Sequence, residues 1–242
     1  YELEAHACHQ TGRGVNKRYV TSGAIAAAVF RHGESRALDP HMHSHAFIFN
    51  VTRSDSKPDQ LLALESSNIF ERTKYLTEVY RNALAREVQR LDYQIERRPN
   101  GFELAGVPQD LLERFSKRAQ ERDRSIAARE AELGRELSRD EIAILVRENR
   151  AAKQYELTPD EVRQGQLAQM NEGELAQLQA LKGGAPRAAP SETVSLSDAI
   201  ARTTEHLFER QTVVPDHEFT AAVLRETYGV HSLAAVKAAV AA

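Results

Sequence analysis

The sequence predicts an α+β fold: an antiparallel sheet with packed helices, followed by an all-helical tail. Three observations carry that expectation. Residues 43–52 (HSHAFIFNVT) are rich in β-branched and aromatic side chains and read as a strand. Asn100-Gly101 stands between two short extended runs, a strong short-range hairpin signal. Over residues 66–93 apolar residues recur at helical spacing, and after Pro108 the chain carries repeated helix-start signals.

Taken in order, residues 1–20 read as irregular, with Gly12 and Gly14 flanking Arg13 ahead of the basic pair Lys17-Arg18. Thr21-Ser22 reads as the cap of an Ala-rich helix over 23–30 that stops near His32-Gly33, where glycine suits a C-terminal cap. The strand over 43–52 is followed by turn-rich residues 54–59 and a second short strand over 61–65, so a hairpin is expected. Ile69, Tyr75, Leu76, Val79, Tyr80, Leu84, Val88 and Leu91 mark one long helix, and residues 94–98 and 102–104 form the arms of the Asn-Gly hairpin. Further helices are expected at about 109–132, 139–154 and 159–182, with Ser138 and Thr158 as caps, each with an acidic residue in the next turn. The alternating charges from Arg114 to Arg124 read as a solvated helical face. Residues 183–190 (GGAPRAAP) have linker composition, and two or three short helices follow. The expected parts are therefore 1–108, 109–182, a linker at 183–194, and 195–242.

The chain has 242 residues, 41% hydrophobic and 28% charged, which is ordinary for a globular protein and long enough for a well-buried core. A net charge of −3 excludes a polybasic nucleic-acid or membrane binder, although a local basic face is compatible with it. Cys8 is the single cysteine, so no intrachain disulfide can form and a cytoplasmic home is expected. No stretch approaches the roughly 18 apolar residues of a membrane span. The first residues, Tyr-Glu-Leu-Glu-Ala-His, carry neither an initiator Met nor a signal pattern, and the chain reads as a piece of a longer one.

Six of the nine histidines, His6, His9, His32, His41, His43 and His45, lie in the first 45 residues. In a strand, residues i and i+2 share a face, so the rings of His43 and His45 stand side by side and can chelate one cation. A third ligand from another element closes a facial set and leaves positions open for substrate, the mark of a catalytic rather than a structural metal. His32 is the natural third ligand. His41 is in phase with the pair, so parity alone does not separate it from them, but Pro40 places it before the strand begins. His206, His217 and His231 stand alone in the helical tail and read as ordinary.

The stretch from Phe30 to Ala46, FRHGESRALDPHMHSHA, resembles the metal-site motif of TrwC/TraI-type (MobF) conjugative relaxases, which are HUH-type nucleases. The likeness extends upstream through Tyr19-Val20-Thr21-Ser22-Gly23. Downstream it runs through Asn50-Val51-Thr52, Val79-Tyr80-Arg81-Asn82-Ala83-Leu84-Ala85 and Gly106-Val107-Pro108, covering about residues 1–180. From Ser195 the chain is similar to the start of the helicase part that follows in such proteins. The resemblance implies a HUH-like α+β domain whose ligands are His32, His43 and His45, with Asp39 orienting a ligand from behind it. It implies a divalent ion (Mg, Mn or Zn) as Lewis acid, and site- and strand-specific nicking of single-stranded DNA at a transfer origin by tyrosine transesterification. Relaxosome and secretion-system coupling proteins are the implied protein partners. Arg13, Lys17, Arg18 and Arg36 are the expected DNA contacts, with Arg53 next.

In that family the nucleophilic tyrosines lie near the N-terminus, upstream of the matched region. None of the seven tyrosines here (Tyr1, Tyr19, Tyr75, Tyr80, Tyr93, Tyr155, Tyr228) holds that position, so this chain alone is expected not to nick DNA. Two alternatives stand beside the leading one. The chain is a catalytically inactive, truncated relaxase that holds DNA or a partner, or it is an unrelated three-histidine hydrolase using Glu34 or Asp39 as general base.

Overall fold

The computed structural model describes residues 2–149, 157–182, 194–209 and 211–241. In chain order the elements are α1 (Glu2–Ala5), β1 (Cys8–Thr11), a 3-10 turn (Gly14–Asn16), β2 (Arg18–Thr21), β3 (Ala27–Glu34), β4 (Pro40–Ile48), β5 (Thr52–Ser54) and β6 (Lys57–Leu62). They continue with α2 (Ser67–Glu71), α3 (Thr73–Arg90), β7 (Ile95–Arg98), β8 (Gly101–Leu104), α4 (Gln109–Arg114), α5 (Lys117–Leu133) and α6 (Arg139–Glu148). The last are α7 (Pro159–Leu167), α8 (Glu172–Ala180), α9 (Leu196–Phe208), α10 (Asp216–Glu226) and α11 (Leu233–Val240). Among the described residues the strands pair as β1–β2, β3–β4, β5–β6 and β7–β8.

Several expectations are corrected. The segment expected to be irregular carries regular elements: β1 pairs antiparallel with β2 from Cys8↔Thr21 to Thr11↔Arg18. Gly12 turns the chain at φ +71, and a Cβ there would run into the Asn16 carbonyl. The Ala-rich run is strand β3 instead of a helix. Alanine favours helix only weakly, and Val29 and Phe30 suit a pairing partner for β4 better than a helical turn. β4 begins at Pro40, as a strand's first residue can, because only its missing donor matters there. The hairpin expected between 43–52 and 61–65 falls instead between β5 and β6, with Ser54 opposite Lys57. The single helix over 66–93 is interrupted at Arg72, whose φ of −95° and ψ of 11° separate α2 from α3.

Other readings hold. β7 and β8 pair from Ile95↔Leu104 to Arg98↔Gly101 around Pro99-Asn100. Ser138 and Thr158 each form a complete capping box, with Glu141 and Glu161 respectively. The helix expected over 139–154 is α6, and its last expected residues lie outside the described residues, as do residues 183–193 of the linker. No helix among the described residues is long and apolar enough to cross a membrane.

The chain forms two compact units. The first comprises Tyr1–Ala28, Phe47–Gly106 and Ala180–Ala242. There the tail helices α9–α11 bury Ala199, Val223, Leu224 and Val236, with Val79 of α3 packed against them. Buried Asn82 ties α3 to the α10–α11 turn: its amide donates to the His231 carbonyl (2.9 Å) and its oxygen accepts from Gly229 N–H (3.0 Å). At the start of the unit, Tyr75 Oη and Lys237 Nζ both donate to Glu2 Oε1, at 2.6 and 2.7 Å.

The second unit comprises Val29–Ala46 and Val107–Gln179. It joins most of the β3–β4 ribbon to α4–α8, largely through polar latches. Arg114 makes a two-pronged pair with Glu174 (2.9 and 2.9 Å), and Gln166 Nε2 donates to the Leu38 carbonyl (2.9 Å).

Candidate metal centre

The turn joining β3 to β4 is built by Ser35. Its backbone closes bonds with Leu38 N–H (3.0 Å) and the Asp39 carbonyl (2.9 Å), and its hydroxyl accepts from the N–H groups of Ala37 and Asp39 (3.2 Å each). Leu38 sits in the left-handed region at φ 61, which costs a non-glycine residue roughly 1–2 kcal/mol. The surrounding bonds hold it there. The turn sets β3 beside β4, and with them the histidines.

His32 lies inside β3, not at a helix end, and His41, His43 and His45 alternate along β4 on one face. The ring centres of His32, His43 and His45 form a near-equilateral triangle: 5.4 Å between His32 and His43, and 5.0 Å for each of the other two pairs. An imidazole nitrogen binds Zn2+ at about 2.0–2.1 Å, so rings sharing one ion have centres roughly 4.5–5.2 Å apart. Two of the three spacings fall inside that range, and the 5.4 Å between His32 and His43 lies just beyond it. His43 Nδ1 lies 2.7 Å from the His41 carbonyl. A carbonyl can only accept, so Nδ1 carries a proton there, and Nε2 is the nitrogen this bond leaves over for a ligand. As they stand, no three His, Cys, Asp or Glu side chains among the described residues are set to close on an ion. Closure needs rotation about the broad terminal torsions of these rings, which is inexpensive.

His41 is the fourth ring of the row, stacked on His43 with centres 4.5 Å apart. Burial first, and then the charges of His43 and Arg118, hold its ring below the ordinary histidine range.

The remaining predicted residues fall in three places. Asp39 is buried, and both its oxygens face α5: Oδ2 accepts the Lys117 N–H (3.0 Å) and Oδ1 pairs with Lys117 Nζ (3.0 Å). It caps a helix, and no hydrogen bond joins it to a histidine among the described residues. Arg36 belongs to the β3–β4 turn. Arg13, Lys17 and Arg18 lie in the other unit, exposed, around the 3-10 turn and β2, where Lys17 Nζ stands 5.0 Å from the Tyr19 ring centre. Arg53 is exposed on β5. Sequence reasoning missed Lys117 and Gln166, the partners that hold the turn. They lie 78 and 128 residues from their partners, and no local pattern signals such pairings.

Tyr75 and Tyr228 are buried at 2% and 0% exposure, and Tyr1 and Tyr155 lie outside the described residues. No tyrosine occurs among the described residues of the unit that carries the histidines.

The chain is thus an α+β protein that gathers three mutually adjacent imidazoles on one strand pair. The TrwC relaxase family model matches residues 1–172, and the chain belongs to that family. It is similar to the multifunctional conjugation protein TraI of Escherichia coli, 28% identical over 127 residues that make up 49% of this chain and 7% of TraI. Among solved structures it is similar to conjugative relaxase TrwC in complex with OriT DNA. The metal-free form has 30% identity and a TM-score of 0.60, covering 74% of this chain and 60% of that one. A copper-bound form of the same complex matches with 29% identity, a TM-score of 0.60 and coverage of 74% and 58%. The chain thus spans a small part of the curated relative and somewhat under two thirds of the solved ones.

Proposed function

We propose that this chain provides the metal-binding and strand-binding part of a conjugative relaxase that nicks origin-of-transfer DNA. The observation that carries the reading is the triangle of His32, His43 and His45 with His43 Nε2 left as a free donor. The relaxases it resembles were solved on OriT DNA and in metal-bound form, which supports both the ligand and the cofactor.

His32, His43 and His45 would hold the ion. The all-nitrogen set favours Zn2+ or another borderline ion over Mg2+, which prefers oxygen. When bound, the ion supplies Lewis acidity toward a non-bridging oxygen of the scissile phosphate. The chain's own contribution is positional. The ladder of β3 and β4 fixes the three rings, the His41 carbonyl fixes the tautomer of His43, and the Ser35 turn holds the two strands in register. In the family's reaction a tyrosine oxygen forms a bond to phosphorus as the bond to the 3′ oxygen breaks, leaving a 3′ hydroxyl and a 5′ phosphotyrosine. Cytoplasmic relaxosome and coupling proteins are the partners this role calls for.

The absence of a tyrosine among the described residues of the histidine unit favours a second reading, in which the chain binds strand and metal without cutting. Calorimetry with Zn2+ and Mn2+ should show one site in the wild type and none in a His43→Ala/His45→Ala double variant; identical binding by both sinks the metal assignment. An adduct assay on origin-type single strands then separates the readings. A covalent protein–DNA product from this chain alone supports cutting, and a gel shift without adduct supports binding.

A further inference from the structure

The histidine row of β4 is one ring longer than the triangle needs. His41, His43 and His45 alternate on one face of the strand, and among the described residues His32 makes ring contacts with the last two and none with His41. Yet the shortest spacing in the row belongs to the ring left out. The centres of His41 and His43 are 4.5 Å apart, against 5.0 to 5.4 Å within the triangle. That value lies within the roughly 4.5–5.2 Å expected of two imidazoles on one cation. The two planes are 19° apart, so rotation about the terminal ring torsions is what turns this stack into a chelate.

The two ends of the row face different surroundings. His41 is exposed and lines a cavity of about 690 Å³ beside the β3–β4 turn, with Asp39 of the turn and with Phe115 and Arg118 from the segment that enters and forms α5. All of these belong to one compact unit, and His32, His43 and His45 do not line the cavity. A cation arriving through it meets His41 first. Arg118 faces the same space and the Asp39 carboxylate is already paired with Lys117 at 3.0 Å, so a cation beside His41 gains little from its surroundings. Two nitrogens there hold it more weakly than the three of the triangle. His43 joins the two sets. Its Nδ1 is committed to the His41 carbonyl at 2.7 Å, so Nε2 is the one nitrogen it has for either. The two seats therefore exclude one another, and the chain holds one ion at a time.

We propose that His41 and His43 form an entry seat for the divalent ion, from which His43 passes it to His32 and His45. The bonds from His32 and His45 form as the bond from His41 breaks, His43 Nε2 stays bound throughout, and no electron moves. The proposal rests on the metal reading of the triangle.

The test uses the full 242-residue chain. Altering a resting ligand changes release and therefore affinity, whereas a residue that acts along the path alone changes uptake and release by one factor. Calorimetry with Zn2+ gives the affinity, and stopped-flow uptake against a chromophoric chelator and release into excess chelator give the two rates. His41→Gln should slow both on the order of 5-fold and leave the affinity within about twofold. His41→Phe keeps a ring to stack on His43 but offers no nitrogen, and should match His41→Gln. Cu2+, the tightest-binding ion of its row, isolates the entry seat. A His32→Ala/His45→Ala variant should still take up Cu2+ with two nitrogen ligands in its EPR spectrum, and adding His41→Gln should weaken that uptake about tenfold or more. Unchanged rates in His41→Gln overturn the proposal, as does a lowered affinity carried by release alone, which makes His41 a resting ligand. Wild-type rates in His41→Phe overturn it too, because stacking then suffices. If His43→Ala binds Zn2+ as the wild type does, this proposal and the metal reading fall together. If Zn2+ binds through His43 and His41 is silent, this proposal alone falls.

Discussion

Where α3 meets α9–α11, Ala199, Val223, Leu224 and Val236 are all at 0% exposure, and the packing is that of an ordinary apolar core. In the unit that carries the histidines the picture is reversed: Leu111 and Val162 are the buried apolar side chains among its described residues, and β3 and β4 leave Val29 and Met42 63% and 89% exposed. The first region is held by burial, which is non-directional and tolerant of approximate fit. The second is held by pairs with fixed geometry, such as Ser35 on its turn, Asp39 on Lys117, Gln166 on Leu38 and Arg114 on Glu174. A ligand site built on the second kind of scaffold stays open to its ligand and keeps its rings in place by strand register.

The largest way to break this contrast is in the apolar core. Leu224→Ala removes a fully buried side chain and should cost about 2–5 kcal/mol, read as a fall in thermal midpoint, with Zn2+ affinity of the folded chain unchanged. The paired His43→Ala/His45→Ala change should do the opposite, leaving stability within about 0.5 kcal/mol in the absence of metal. If the histidine variant unfolds the chain, the ribbon is more than a ligand carrier.

Asn82→Ala probes the polar element inside the apolar region. It leaves the Gly229 N–H and the His231 carbonyl without their partners, which should cost about 2–3 kcal/mol in chemical denaturation. A loss below about 0.5 kcal/mol would mean that water replaces the amide.

Asp39→Asn sharpens the other side. The amide oxygen can still cap the Lys117 N–H, but the ion pair with Lys117 Nζ is lost, so about 1 kcal/mol or a little more is expected. Because Asp39 faces α5, metal affinity should stay within about threefold. A carboxylate that orients a ligating histidine instead loses 10- to 100-fold when altered, so a drop of that size would restore Asp39 to the metal site.

The same contrast explains what could be read before the structure. The helix caps at Ser138 and Thr158 and the Asn100-Gly101 hairpin were legible because their causes lie within a few residues. The His43 and His45 pairing was legible for the same reason, since strand parity acts at a spacing of two. The Ala-rich segment was misread because its state depends on β4, a partner further along the chain, which outweighs the helix preference of alanine. Asp39 shows the same limit: the resemblance to the motif placed it behind the histidines, whereas the partner of its carboxylate is the start of a helix 78 residues away. The cavity wall supplied by Phe115 and Arg118 could not be found from local pattern at all, because only the folded chain brings it to His41.

The smallest expected effect tests whether the latches act one by one. Glu141 closes the capping box of α6, and the bond from Arg135, then that from the Ser138 N–H, holds its carboxyl down to about 2. A carboxylate whose folded value lies below its unfolded one contributes fully above the unfolded value, near 4.5, and loses that contribution as pH falls toward about 2. The protection factor of the Glu141 N–H, which bonds to Ser138 Oγ at 3.3 Å, should therefore be constant above about pH 5 and fall across that window. Ser138→Ala should lower it about fivefold at neutral pH by removing the other half of the cap. Exchange at the Lys117 N–H, held by Asp39 instead, should not follow the Ser138 change. If it does, the latches of this unit form one cooperative network instead of separate clasps, and the ribbon's register would then depend on helix caps far from its histidines.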